Sequence, residues 1–202
     1  MYCPFKAFKI PAAAKYSKEI EAKELYPDLN LTESEKKILT QTWCCSLDDM
    51  VKFAQFMYRE AFKQESSMMS LFPGLRDMET SNFDKSEIGF VISTNSHFRN
   101  MSVKPIQALD TLIRNIEDIN GVGKNAAIQI GERHRSYLSG SSSGSAVYWS
   151  AIEVAIIQGV AKLILQKSES ENQPSKTDHN AMKVWIKFIR WIVTTVRAAA
   201  TE

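Results

Sequence analysis

Cysteine is scarce in this sequence, and the few cysteines are poorly placed for disulfide bonds. There are three of them in 202 residues, and Cys44 and Cys45 are neighbours. An odd number that includes an adjacent pair is not the pattern of a disulfide-stabilised secreted domain. We therefore expect a protein of a reducing compartment and predict a cytoplasmic location.

Long apolar runs and blocks of one charge are also missing. No continuous apolar stretch reaches the roughly 18 residues of a membrane span, so no transmembrane segment is predicted. The first residues lack the apolar core of a secretory signal, and Tyr2 takes the place of the glycine needed for N-myristoylation. Lysines and arginines are interleaved with acidic residues, and the formal net charge is only +2. This distribution argues against a nucleic-acid partner.

Sequence patterns of common enzyme active sites are absent as well. We find no Ser–His–acid set, no Cys–His spacing of a zinc site and no glycine-rich phosphate loop. The protein is therefore predicted not to be an enzyme. Redox side activities would leave no signature of this kind.

Helical periodicity is strong along the chain and strand signals are few, which predicts an all-α protein. Residues 1–30 have no sustained apolar face and are predicted to form a partly disordered extension, with one short helix near 13–25. The first firm helix begins at LTESEKKIL, where Thr32 and Glu35 have the spacing of a capping box. NGVGKN is predicted to be a turn, SGSSSGS a flexible linker and SESENQPSKTD a solvated loop. The other helices are expected over residues 47–63, 97–117, 124–136, 148–165 and 180–196.

One of the three histidines lies in the stretch IQIGERHRSY, residues 128–137. Taken alone, His134 near the end of a short amphipathic helix is most simply a solvated surface residue. The alternative is a metal ligand that points into a pocket. The residues next to His134 leave both interpretations open.

Four sequence features in order resemble the globins, in particular the neuroglobin-like and nematode globins. Trp43 in the first helix precedes Tyr58 by fifteen residues, and Phe72 in the segment SLFPGL follows fourteen residues later. RNIEDI and then IGERHR are similar to the end of the distal helix and to the proximal-histidine segment, and Trp185 matches a tryptophan of the last helix. The resemblance covers residues 31–198. It implies a globin domain with helices packed around a haem pocket, and haem b as the cofactor.

The resemblance assigns roles to three of these residues. His134 matches the proximal ligand of the haem iron, a role suited to a neutral imidazole. Phe72 would lie against the porphyrin and exclude water. Tyr58 would face the distal side, where its hydroxyl could stabilise bound dioxygen. The alternative for Tyr58 is a tyrosine that only covers the core with its hydroxyl in solvent.

The distal helix departs from the family pattern. The alignment places Met101 where most globins have histidine or glutamine, and Pro105, a helix-distorting residue, one turn later. A register shifted by one residue would offer Ser102 and Ile106 instead, and His97 is a second candidate for the distal group. His179, in the polar loop before the last helix, is expected at the surface. The expected haem-contacting residues are Phe72, Tyr58, Phe98, Met101, Pro105 and Ile106.

Two functions and one alternative without a cofactor follow from this reading. The first is reversible binding of dioxygen or another diatomic gas, for transport, storage or sensing. The second is a redox or electron-transfer protein whose haem is six-coordinate through Met101 or His97. The third is a haemless helical bundle that kept the fold for a regulatory role. The sequence does not predict an oligomeric state.

Overall fold

The computed structural model contains a single chain in which helices make up nearly all of the described residues. These helices are named here in chain order. They are α1 (Glu33–Thr42), α2 (Leu47–Gln64), α3 (Ser96–Arg114), α4 (Lys124–Leu138), α5 (Gly144–Glu169) and α6 (Lys176–Thr201). The structure describes residues 26–43, 46–72, 75, 96–138, 144–169 and 176–201. The predicted helix near 13–25 lies outside these ranges, as do most of the predicted linker and loop.

The first two helices begin with side-chain caps. The Thr32 hydroxyl accepts from the Glu35 N–H at 3.2 Å, and the Glu35 carboxylate accepts from the Thr32 N–H at 2.8 Å. The predicted capping box is therefore confirmed. Ser46 caps α2 by accepting from the Asp49 N–H at 3.0 Å. Both caps satisfy N–H groups that have no partner within the first turn of a helix.

Helix α2 lies at the centre of the core. It packs against α3 on one side and α5 on the other, while α6 packs against α4, α5 and α1. At the crossing of α2 and α5, a Cβ added to Gly159 would come within 2.9 Å of the Phe53 ring. The absence of a side chain at Gly159 therefore lets the two helices approach closely. The buried residues of α2 are Met50, Phe53, Ala54, Met57, Tyr58, Ala61 and Phe62, as its periodicity predicts.

Two predicted connections differ from the structure. NGVGKN is not a simple turn, because Ile116–Asp118 form a 3-10 turn and Ile119–Gly123 a π-helical turn that leads into α4. His179 is exposed as predicted but lies within α6, which begins at Lys176. Helix α5 runs four residues beyond its predicted end at 165, and α6 begins four residues before its predicted start at 180.

The last five residues of the predicted extension pack onto the helical body. Tyr26 and Leu29 are only 3% and 5% exposed. The Asn120 side chain accepts from the Leu29 N–H at 2.7 Å and donates to its carbonyl at 3.2 Å. The Trp191 indole donates to the Pro27 carbonyl at 2.8 Å. Residues 26–30, which we call the N-terminal strap, thus connect the turn before α4 to α6.

Lys124, the first residue of α4, binds the strap through its side chain. It is 4% exposed, and its ammonium donates to the Tyr26 carbonyl at 3.0 Å and to the Asp28 carboxylate. We expect Lys124→Met to lower the free energy of unfolding by about 1–3 kcal/mol, because the buried Tyr26 carbonyl would lose its donor. Chemical denaturation measures the change. Asp28→Asn should lower the free energy of unfolding by less, since Asp28 is half-exposed. Equal stability of Lys124→Met and the parent would contradict the role of Lys124.

Helix α5 has the length and composition of a membrane-crossing helix over Ala146–Leu165, where the mean hydropathy is 1.4. A third of that stretch, 33%, is buried inside the protein. Ala151, Ala155 and Val160 belong to its buried face, and α5 packs against α2 and α6. A core helix passes the same test, so this is weak evidence for a membrane. The prediction of no transmembrane segment was based on the absence of a long uninterrupted apolar stretch. The average hydropathy of a window is a weaker criterion, because buried core helices also satisfy it.

Candidate functional site

His134 lies in the last turn and a half of α4. It follows the fully buried Ala127 by seven residues and the buried Gly131 by three, so it continues the face of α4 that packs on α6. A side chain at position 131 would collide with the Val196 carbonyl of α6. The Arg135 guanidinium donates to the Ala199 carbonyl of α6 at 2.9 Å. The His134 side chain itself is exposed, while its neighbours Gly131 and Arg135 contact α6.

The imidazole of His134 has a defined orientation. Its Nδ1 lies 2.7 Å from the carbonyl of Ile130, four residues earlier on the same helix. Because a carbonyl oxygen can only accept, Nδ1 carries the proton and donates. In the neutral imidazole the lone pair is then on Nε2, the atom that a metal would bind. Its role as an iron ligand stays a prediction.

Three aromatic rings form a cluster at the C-terminal end of α2 and the 3-10 turn Ser66–Leu71 that follows it. Tyr58 packs edge-on against Phe72 with ring centroids 5.3 Å apart, and Phe62 lies 5.7 Å from Tyr58 and 5.5 Å from Phe72. Phe72 ends the 3-10 turn Ser66–Leu71 and is half-buried. The structure therefore brings together the two aromatic residues that the sequence placed in one pocket.

Burial changes the acid–base behaviour of Tyr58, which is 5% exposed. Desolvation disfavours the phenolate and raises the pKa of Tyr58 above its ordinary value of about 10. The hydroxyl therefore stays protonated at neutral pH and can act as a hydrogen-bond donor. A tyrosine with its hydroxyl in solvent would show neither this burial nor this shift.

Helix α3 runs without a break through Pro105, from Ser96 to Arg114. Its buried face contains Ser102 and Ile106, each 1% exposed, whereas Pro105 is exposed. Of the residues expected to contact haem, Ile106 thus faces the core that α3 shares with α2 and Pro105 does not. The side chains of His97, Phe98 and Met101 lie outside the described part of the structure, so their distal roles stay predictions.

Sequence reasoning missed Trp149, which lies beside His134. The two ring centroids are 5.7 Å apart, with the planes at 62°. The Trp149 indole N–H is buried without an acceptor among the described residues, and Trp149 also lines a cavity of about 370 Å3 between α5 and α6. The only signal in the sequence was an adjacent tyrosine and tryptophan at the start of an apolar helix.

The first turns of α5 connect the two halves of the candidate site. The Tyr148 hydroxyl lies 3.2 Å from the Ser67 hydroxyl, in the turn that leads to Phe72, and the next residue, Trp149, packs against His134. No group of three or more His, Cys, Asp or Glu side chains among the described residues could hold a metal ion. The arrangement offers one imidazole nitrogen, so it suits a metal that arrives with most of its other ligands.

Comparison with known proteins supports the fold. No protein-family model and no curated protein matches the sequence. Among solved structures, the chain is similar to a hexacoordinated heme protein from an anhydrobiotic tardigrade, determined at pH 4. The TM-score is 0.66 at 14% sequence identity, and the match covers 86% of this chain and 97% of that chain. Together with the all-helical architecture, this confirms the predicted globin fold.

Proposed function

We propose that this protein of globin fold binds haem through His134 and reversibly binds dioxygen or another small diatomic gas. The observation that carries the proposal is the His134 imidazole, whose Nδ1 faces the Ile130 carbonyl at 2.7 Å, so that Nε2 is the nitrogen that a neutral ring would offer to iron. The likeness in fold to a six-coordinate haem protein supports the same cofactor. We propose that the protein binds a ligand and does not act as an enzyme, and that it is located in the cytoplasm.

The described residues fit a haem better than a bare metal ion. A porphyrin supplies four of the iron ligands, so that a single histidine is sufficient from one side. Phe72 and Trp149 are half-buried, which leaves apolar edges that a flat macrocycle would cover. None of the three cysteines adjoins His134 in the sequence, as covalent attachment would require. Haem b, held without covalent bonds, is the form we propose.

The residues of the site would then divide the work. When bound, the haem would supply an iron atom able to take a diatomic ligand, and His134 would be its protein ligand. The Ile130 carbonyl and the Trp149 ring hold the imidazole in one orientation. Phe72 excludes water with its apolar ring. The neutral Tyr58 hydroxyl donates a hydrogen bond to a ligand with partial negative charge, as dioxygen would have, and slows its release.

A six-coordinate redox protein is the second candidate, and it is favoured by the hexacoordinated haem of the tardigrade protein. In this chain the sixth ligand would be Met101, through its sulfur, or His97. A thioether ligand raises the reduction potential of the iron. Met101 has no hydrogen-bond donor, so without ligation it can only fill the pocket as an adaptable apolar side chain.

Haem titration followed by a visible spectrum of the reduced protein tests both candidates. We expect saturation at one haem per chain and a reduced spectrum that is five-coordinate, or six-coordinate through a ligand other than methionine, and that Met101→Leu barely alters. Replacing His97 should change the spectrum only if that histidine binds iron. Loss of six-coordinate character in Met101→Leu would show that the sulfur is a ligand and would favour the redox function. If the protein takes up no haem in a saturable way, both haem functions are wrong and the haemless regulatory protein is the remaining candidate.

A further inference from the structure

A second cavity, of about 300 Å3, lies where α2 crosses α5. Asp49, Lys52, Phe56 and Arg59 contribute its α2 wall, and Lys162 lies on the α5 side. Neither His134 nor the aromatic pair Tyr58 and Phe72 lines this cavity. It is therefore a separate feature of the molecule, and the proposed haem function does not account for it.

Two of the three cations in the lining of this cavity lie over one aromatic ring. The Arg59 guanidinium carbon lies 5.3 Å from the centroid of the Phe56 ring, and the Lys162 ammonium lies 5.0 Å from the same centroid. Both distances are those of cation–π contacts. Lys52 is one turn before Phe56 and also lines the cavity. The ring thus gathers charges from two helices that local sequence does not bring together.

Carboxylates of the described residues balance only part of the positive charge of the cavity. Among the described residues, neither Lys52 nor Lys162 has a carboxylate partner within ion-pair distance. The one carboxylate in the lining, Asp49, accepts from the Ser46 hydroxyl and keeps its negative charge, so the three cations leave the lining with a formal net charge of +2 (three positive, one negative). Like charges that face one cavity repel each other, and a bound anion would remove this cost.

Arg59 adds to this excess. It shares the Glu60 carboxylate with Lys63, at 3.2 Å and 3.0 Å, so one negative charge serves two cations. Its guanidinium is half-exposed and keeps N–H groups beyond the one that Glu60 accepts. The planar Arg59 guanidinium can donate two parallel hydrogen bonds, and with the ammonium groups of Lys52 and Lys162 it suits the oxygen atoms of a phosphate.

We propose that this cavity is a binding site for a compact polyanion, a small phosphorylated molecule with at least two negative charges. Lys52 and Lys162 would contact it as point charges, and Arg59 would donate directed hydrogen bonds. The volume excludes a large ligand. Cations already occupy positions over the Phe56 ring, so the ligand is recognised by charge and not by stacking of a flat base on that ring.

Titration of the full-length chain with pyrophosphate at low ionic strength, followed by calorimetry, tests this site. We expect saturable binding of one pyrophosphate per chain that weakens as salt is added. Lys52→Gln and Lys162→Gln should each reduce affinity about fivefold, and together about 25-fold, if the exposed charges act independently. Phe56→Leu keeps every charge and should weaken binding about two- to fivefold by releasing the cations.

Lys183→Gln is the matched control, because Lys183 is exposed on α6 and its replacement changes the net charge equally. It should leave pyrophosphate affinity unchanged, and all variants should keep the helical circular dichroism of the parent. Absence of saturable binding would overturn the proposal. So would an equal loss of affinity in Lys183→Gln and Lys52→Gln, because binding would then follow overall charge and not this cavity.

Discussion

Replacing His134 by alanine should abolish stable haem binding, or leave a weakly held haem that added imidazole restores. His134 has its Nδ1 proton directed at the Ile130 carbonyl and offers Nε2 to a metal. Loss of an outer hydrogen-bond partner of a metal ligand alone costs about 10–100-fold in metal affinity. We therefore expect removal of the ligand itself to exceed about 100-fold in the dissociation constant, measured by transfer of haem to an excess of an acceptor protein.

His179→Ala is the control for this experiment, since His179 is an exposed histidine on α6. It should retain haem like the parent. Circular dichroism of the haem-free His134→Ala protein should show the parent helix content, because the exposed imidazole contributes little to the core. Full haem retention with an unchanged spectrum in His134→Ala would mean that another residue is the axial ligand.

Replacing Tyr58 by phenylalanine should speed the dissociation of dioxygen by roughly tenfold to a hundredfold. Tyr58 is buried and its pKa is raised by desolvation, so the hydroxyl is a neutral donor throughout the physiological pH range. One hydrogen bond to a charged group contributes about 1.5–3 kcal/mol, which gives that factor if the whole loss falls on the off-rate. Stopped-flow displacement of dioxygen measures it.

Carbon monoxide provides an internal control for Tyr58→Phe, because it is less polarised when bound and its off-rate should respond less. Tyr148→Phe is a matched variant, since that hydroxyl lies 3.2 Å from the Ser67 hydroxyl and outside the aromatic cluster. It should leave the dioxygen off-rate close to that of the parent. An unchanged off-rate in Tyr58→Phe would place the tyrosine outside the ligand pocket.

Much of the fold could be predicted from the sequence because it depends on interactions between near neighbours. The capping box of Thr32 and Glu35 joins residues three apart, and the buried stripe of α2 recurs every three or four residues. Helix α2 was expected over 47–63 and runs over Leu47–Gln64. The spacing of Trp43, Tyr58 and Phe72 gave the resemblance to globins, and the structure places Tyr58 and Phe72 in contact.

Sequence patterns were less informative where helices extend beyond the core. The polar residues around His179 indicate solvent but not the end of a helix, because an exposed helical turn tolerates them equally well. The π-helical turn Ile119–Gly123 contains two glycines that resemble a loop. Its conformation is stabilised by contacts to the strap, through Asn120, and by the start of α4.

The sequence by itself therefore determined the helices, the globin resemblance and His134 as the candidate ligand. Only the tertiary structure placed Trp149 beside His134, anchored the strap and gathered Lys52, Arg59 and Lys162 in one cavity. The strap contacts join residues 98 positions apart between Lys124 and Tyr26, and 164 apart between Trp191 and Pro27. Such approaches depend on how whole helices pack, and a periodicity of three or four residues carries no information about them.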